Sequence, residues 1–155
     1  MSNLLSKEIE NAVNAPESLK CIASISADGK LHLVYKQSLH INEDGNLEFY
    51  EYIESSQNNK NMVNSIWFDQ PVVVNVLTED RRSFEIKGIA KQALIAGAKF
   101  EQIYRQETEK GREDLSTIWI IDVQEISEKT LKRRIEEEAE KHPHFRHLDQ
   151  LLNAE

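Results

Sequence analysis

The chain has 155 residues, 39% of them hydrophobic and 30% charged, with a formal net charge of −8. That is the length of one ordinary domain, able to bury a core without disulfide staples, and its one cysteine, Cys21, excludes an internal bridge. The acidic balance argues against non-specific nucleic-acid binding, no apolar run approaches a membrane span, and the opening MSNLLSKEIENAV has no secretory pattern, so a cytoplasmic protein is expected.

Leu5, Ile9 and Val13 are spaced four apart and predict a short amphipathic helix that Pro16 ends. Residues 21–26 read as a strand, with Cys21 as a buried small hydrophobe. Asp28-Gly29 is a tight-turn signal. Residues 31–41 alternate, placing Leu31, Leu33, Tyr35, Leu39 and Ile41 on one face and His32, Val34, Lys36, Ser38 and His40 on the other. Asp44-Gly45 turns the chain into a strand over 47–53, so the first half predicts a three-stranded antiparallel meander.

Residues 54–61, ESSQNNKN, read as a polar loop. Met62, Val63, Ile66 and Trp67 then follow at helical spacing until Pro71. The β-branched run over 72–77 suits a strand covered on both faces. Residues 81–95 read as one long strand, in which Gly88 signals a bulge or a close backbone approach and, in a dimer, a place where chains meet. Glu85 and Lys87 form a surface pair of little energetic weight. Phe100, Ile103 and Tyr104 mark a helix, residues 110–115 a charged loop, and 116–126 a last strand. Residues 128–141 form a charged helix laced by Lys132, Arg133 and Arg134 with Glu136, Glu137 and Glu138, and residues 144–153 a short final one. Six strands in a mostly meandering order suit a closed or split barrel, which removes exposed edges.

Four segments in this order carry a family likeness: CIASISADGKLHL, NEDGNLEFYEY, the polar loop and helix before Gln70-Pro71 and VVVNV, and RRSFEIKGIAKQAL. Together they resemble the pyridoxamine 5′-phosphate oxidase-like family, the FMN-binding split β-barrels, over about residues 5–126. The resemblance implies one mainly-β domain over 1–155 with flanking helices, a six-stranded antiparallel split β-barrel with a helical C-terminal extension over 127–155. It also implies a homodimer with two FMN sites at the subunit interface. On this chain the ring contacts would fall on Lys36, Gln37 and Ser38, the phosphate contacts within residues 55–61, and a further flavin contact on Ser83.

The chemistry of those residues is compatible with such a site. Ser55, Ser56, Asn58, Asn59, Lys60 and Asn61 stand just before a helix and offer hydroxyl, amide and ammonium donors to a phosphate. The rival reading is a solvated loop with Ser56 or Asn59 as helix cap. Lys36 could stabilise negative charge that develops on a flavin during reduction, or simply face solvent. Tyr50 and Tyr52 could stack at the site or pack in the barrel. The Arg-Lys pair that the oxidases place before the proline falls here on Met62 and Val63, and QLLNAE at the C-terminus lacks their basic segment, so pyridoxamine phosphate oxidation is not expected. The expected function is an FMN-binding flavoprotein, an oxidoreductase of unspecified substrate. The alternatives are a haem-binding split barrel using His142, His144 or His147 of the tail, and a non-catalytic FMN carrier, sensor or electron-transfer protein. No catalytic residue and no metal ligand is assigned.

Overall fold

The computed structural model of the chain describes residues 5–112 and 114–143. Helix α1 (Lys7–Asn14) is capped by Ser6, whose hydroxyl accepts from Ile9 N at 3.3 Å, and it buries Ala12 and Val13. Two hairpins follow, each built on one of the Asp-Gly corners. β1 (Leu19–Ile25) pairs antiparallel with β2 (Leu31–Tyr35) across Gly29 at φ 84°. β3 (His40–Ile41) pairs with β4 (Leu47–Glu51) across Gly45 at φ 78°. The Asn42 side chain organises the second corner by accepting from Asp44 N and Asn46 N, both at 3.0 Å.

The expected meander does not form. The predicted strand over 31–41 is broken by a turn at 36–39, closed by Leu39 N donating to Lys36 O at 3.0 Å. Its two halves lie at opposite edges of a seven-stranded sheet ordered β2-β1-β5-β6-β7-β4-β3. Only four residues separate the two edge strands, so the sheet must curl until its edges meet. This is the split-barrel form of the predicted fold class, with seven strands rather than six. The turn also breaks the predicted shared face. Leu39 and Ile41 are buried, whereas Leu31, Leu33 and Tyr35 face outward at 85%, 67% and 69% exposure. Cys21 is half-buried on the outer side of β1, because Lys20, Ile22 and Ser24 take the inner side.

Helix α2 (Gln57–Phe68) starts five residues before Met62, inside the predicted loop, and ends on Asp69 in the left-handed region at φ 51°. β5 (Pro71–Leu77), β6 (Ser83–Leu94) and β7 (Thr117–Glu128) form the centre of the sheet, with α3 (Ala98–Glu109) between the last two. α4 (Leu131–Lys141) buries no residue, leaves Leu131 and Ile135 exposed, and contains the ion pair Arg133–Glu137 at 3.5 Å. The core packs Val13 and Met62 from the helices against Ile22, Leu39, Phe49, Val74, Ile86, Trp119 and Ile121. Among the described residues no helix is long and apolar enough to cross a membrane.

Gly88 sits at a register shift between β6 and β7. A Cβ there would lie 2.5 Å from Asp122 O and 2.6 Å from Ile121 Cγ2, so the close backbone is β7 of the same chain. Gly88→Ala is expected to cost about 2 kcal/mol, because a methyl forced into a packed ladder displaces backbone. Urea unfolding reads this directly, and an unchanged midpoint would show that β7 moves aside freely.

Candidate functional site

The turn at 36–39 owes its shape to side chains that tie it down. Lys36 N donates to Lys20 O at 2.9 Å, and Lys20 Nζ donates to Leu39 O at 2.7 Å. Lys20 is buried, and that burial pushes its ammonium below the ordinary lysine value. Gln37 Nε2 donates to Ser18 O at 2.6 Å. Ser38 Oγ accepts from Tyr50 N at 3.0 Å. Tethered in this way, the turn forms one wall of a cleft of about 400 Å³ lined by Tyr35, Lys36, Gln37, Ser38, Tyr50, Tyr52 and Arg112. Tyr52 and Arg112 also line an adjoining, more apolar hollow with Ile53, Gly111 and Asp114. The volume falls in the range of small-molecule sites.

Three buried carboxylates stand behind this wall. Glu51 takes Lys36 Nζ on both oxygens, at 3.1 and 3.0 Å. Glu107 accepts from Tyr52 Oη at 3.1 Å and from Arg112 at 3.0 Å. Glu48 meets His40 Nε2 at 2.8 Å, Asn42 Nδ2 at 3.3 Å, and Lys99 from the start of α3. Burial alone would raise the Glu48 carboxyl, but the bonds from His40 and Lys99 outweigh it and hold it down at about 2. The other ring nitrogen of His40 faces Ser38 O at 2.7 Å. Both partners of the ring are acceptors, an arrangement that only a doubly protonated imidazole satisfies in full. Tyr50, edge-on to His40 with ring centroids 5.4 Å apart, is pushed up to about 12 by burial and by the charge of Glu48.

The polar stretch at 55–61 is the entry to α2. Ser56 is its N-cap, accepting from Asn59 N at 3.0 Å, so the capping half of the rival reading is correct. Three of the predicted phosphate donors, Asn58, Asn59 and Asn61, are engaged within the protein. The Asn59 carbonyl accepts from Trp119 Nε1 at 2.9 Å while its amide donates to Glu54 O at 2.8 Å. Asn61 is buried, accepts from Gln57 at 2.8 Å and donates to Ser24 at 3.1 Å. Ser55, just before the N-cap, and Lys60, in the first turn, are exposed, and the Lys60 side chain makes no ion pair with any described residue. Asn58, also a predicted donor, is buried. Its Nδ2 reaches Glu51 Oε2 at 3.4 Å, a long contact that connects α2 to the carboxylate holding Lys36.

Ser83 does not join this cleft within one chain. It lies on β6, three strands from β2 in the sheet order, roughly 15 Å away at normal strand spacing. There its hydroxyl accepts from Asn75 Nδ2 at 3.3 Å and its backbone N–H donates to Thr130 Oγ1 at 2.9 Å. Sequence reading missed Glu48, Glu51, Glu107 and Arg112. For Glu48 a signal existed, since an acidic residue in one arm of an Asp-Gly hairpin stands opposite a histidine in the other, and His40 and Glu48 are register partners. His142 ends α4, while His144 and His147 lie outside the described residues. Among the described residues no group of three or more His, Cys, Asp or Glu is placed to hold a metal ion.

No family model and no curated protein matches the sequence. Solved structures do match the fold. The HupZ protein of Group A Streptococcus is 19% identical, with a TM-score of 0.66 over 82% of this chain and 95% of that one. A putative pyridoxamine 5′-phosphate oxidase of Lactobacillus delbrueckii is 14% identical, with a TM-score of 0.61 over 81% and 95%. An FMN-binding protein of Syntrophomonas wolfei is 13% identical, with a TM-score of 0.57 over 79% and 84%. At these identities the likeness is one of fold, and the fold is the split barrel of the pyridoxamine 5′-phosphate oxidase-like, FMN-binding proteins, as the resemblance implied.

Proposed function

We propose that the chain is a dimeric FMN-binding flavoprotein that acts as an oxidoreductase. One observation carries the reading: Lys36, from the segment implied to touch the ring, and Asn58, from the helix start implied to hold the phosphate, meet on the same carboxylate, Glu51. A cleft with three tyrosines and two cations is chemically suited to a flat, aromatic, anionic ligand. Lys36, Gln37 and Ser38 would line the ring, with Tyr50 and Tyr52 opposite. Ser55, Ser56 and Lys60 around the start of α2 would receive the phosphate, where helix N–H groups favour an anion. Asn59 and Asn61 would join only by exchanging their present partners. Ser83 would come from the second copy, since one chain holds it far from the cleft. A bound flavin would supply hydride or single-electron chemistry, and the protein's share is orientation and charge.

The purified protein, or the protein given FMN, is expected to show a two-banded yellow spectrum. Lys60→Ala is expected to weaken FMN binding about tenfold, the scale of one charge-assisted phosphate contact. A colourless protein that ignores added FMN would sink the reading, and a sharp Soret band would favour haem instead. Unchanged affinity in Lys60→Ala would move the phosphate away from α2.

A further inference from the structure

Glu51 occupies an unusual place for a carboxylate. Its side chain is 1% exposed at the end of β4, yet its side-chain partners are Lys36 of the cleft wall and Asn58 of α2, with only Ile53 N from the link between β4 and α2. Lys36 Nζ lies 3.1 Å from Oε1 and 3.0 Å from Oε2. Ile53 N reaches Oε1 and Asn58 Nδ2 reaches Oε2, each at 3.4 Å. The Lys36 side chain is 16% exposed and lines the cleft, so this ammonium is held against the carboxylate rather than extended into solvent. An ammonium has three N–H donors. With two turned onto Glu51, one remains for a ligand.

The electrostatic consequence follows from distance. A bare lysine beside a flavin attracts the negative charge that arrives on reduction, and in a half-buried site that attraction is strong. A carboxylate in contact with the same ammonium cancels most of the attraction as felt from the cleft. Burying a carboxylate for packing alone would be costly, and an apolar residue of similar volume would hold the hairpin as well.

We propose that Glu51 is a positioning residue for the flavin site: it fixes the Lys36 ammonium in the cleft wall and mutes the charge presented to the ring, so that oxidised and reduced flavin are held with more nearly equal affinity. The inference rests on the flavin reading above. It assigns the site a built-in restraint on how far the protein favours the reduced cofactor.

The test compares wild type, Glu51→Gln, Lys36→Met and the double variant, which removes both charges and guards against loss of fold. Dissociation constants for oxidised FMN and, anaerobically, for reduced FMN are measured for each. Glu51→Gln is expected to raise the preference for reduced over oxidised FMN on the order of tenfold. Lys36→Met, which leaves the carboxylate alone, should lower that preference, and the double variant, with neither charge, should return it close to the wild-type value. In the flavin-free protein, an amine-acylating reagent followed by peptide mass spectrometry should modify Lys36 several-fold faster in Glu51→Gln. A lowered melting temperature with no change in preference would mean that Glu51 only braces the hairpin, and the proposal would fail while the flavin reading stood. A wild-type protein that binds neither form of FMN would overturn both.

Discussion

Replacing Glu48 with glutamine is expected to destabilise the fold by about 3 kcal/mol at pH 7. Glu48 is 2% exposed, and its three partners come from separate places: His40 on β3, Asn42 in the Asp-Gly corner and Lys99 at the start of α3. Removing the charge leaves the His40 ring and the Lys99 ammonium facing a site with no carboxylate to pair with them. They are 28% and 44% exposed, so water recovers part of the loss, which keeps the expected cost at the low end for a broken buried pair. The sign of the pH dependence is fixed by the direction of the shift. The Glu48 carboxyl is held at about 2 in the fold against an ordinary 4.5, so its contribution is complete above pH 4.5 and is lost as pH falls toward 2. The gap between wild type and Glu48→Gln should therefore shrink by about 2 kcal/mol between pH 7 and pH 3. Urea titrations at the two pH values check this. A gap of the same size at both would mean that Glu48 acts through packing and not through its charge.

The parts of the fold legible in the sequence were those set by local backbone chemistry. Both Asp-Gly corners formed their hairpins, and Gly88 marked a real backbone approach. Strict alternation over 31–41 misled, because period-two patterning reports the face of a strand only while the strand continues. The turn at 36–39 reverses the chain, and its cause, Lys20 reaching Leu39 O, is a contact across 19 residues that no local pattern encodes. Helix α2 was read too short for a related reason. Asparagines usually signal loops because they bond to nearby backbone, but Asn58 and Asn61 are buried in the first turns and bond to Glu51 and Ser24 instead.

The candidate site divides along the same line. Lys36, Gln37 and Ser38 do line a cleft with Tyr50 and Tyr52, and nothing in their own spacing required it. What gives the cleft its electrostatic character are Glu51, Glu107 and Glu48, whose partners lie up to 51 and 55 residues away. A carboxylate in a strand looks like a solvated position until its partner is known. The hairpin supplies His40 and Asn42 to Glu48, but Asn58 reaches Glu51 and Lys99 reaches Glu48 only when the sheet curls and brings α2 and α3 against β4.

A single substitution on the outer face of β2, Leu33→Asp, is expected to convert the proposed dimer into a monomer and to weaken FMN binding at least about tenfold. Leu31, Leu33 and Tyr35 stand side by side on an edge strand at 85%, 67% and 69% exposure. The row continues inward through the register, where Leu33 faces Ala23 and Ala23 faces Val73, and Leu19 and Leu77 extend it at 52% and 38%. A contiguous apolar face beside an unpaired strand edge is a liability for a lone monomer and an asset for a self-complementary pair. Tyr35 belongs both to this face and to the cleft, so a second copy seated on the face would also wall the site. The aspartate would place a charge in the middle of that contact, while in a monomer it would face water and change folding stability by no more than about 0.5 kcal/mol. Analytical ultracentrifugation with FMN titration separates the outcomes. A wild-type monomer, or a Leu33→Asp variant that remains dimeric, would remove this face from the interface. A monomeric variant with undiminished FMN affinity would place the whole flavin site, Ser83 excluded, within one chain.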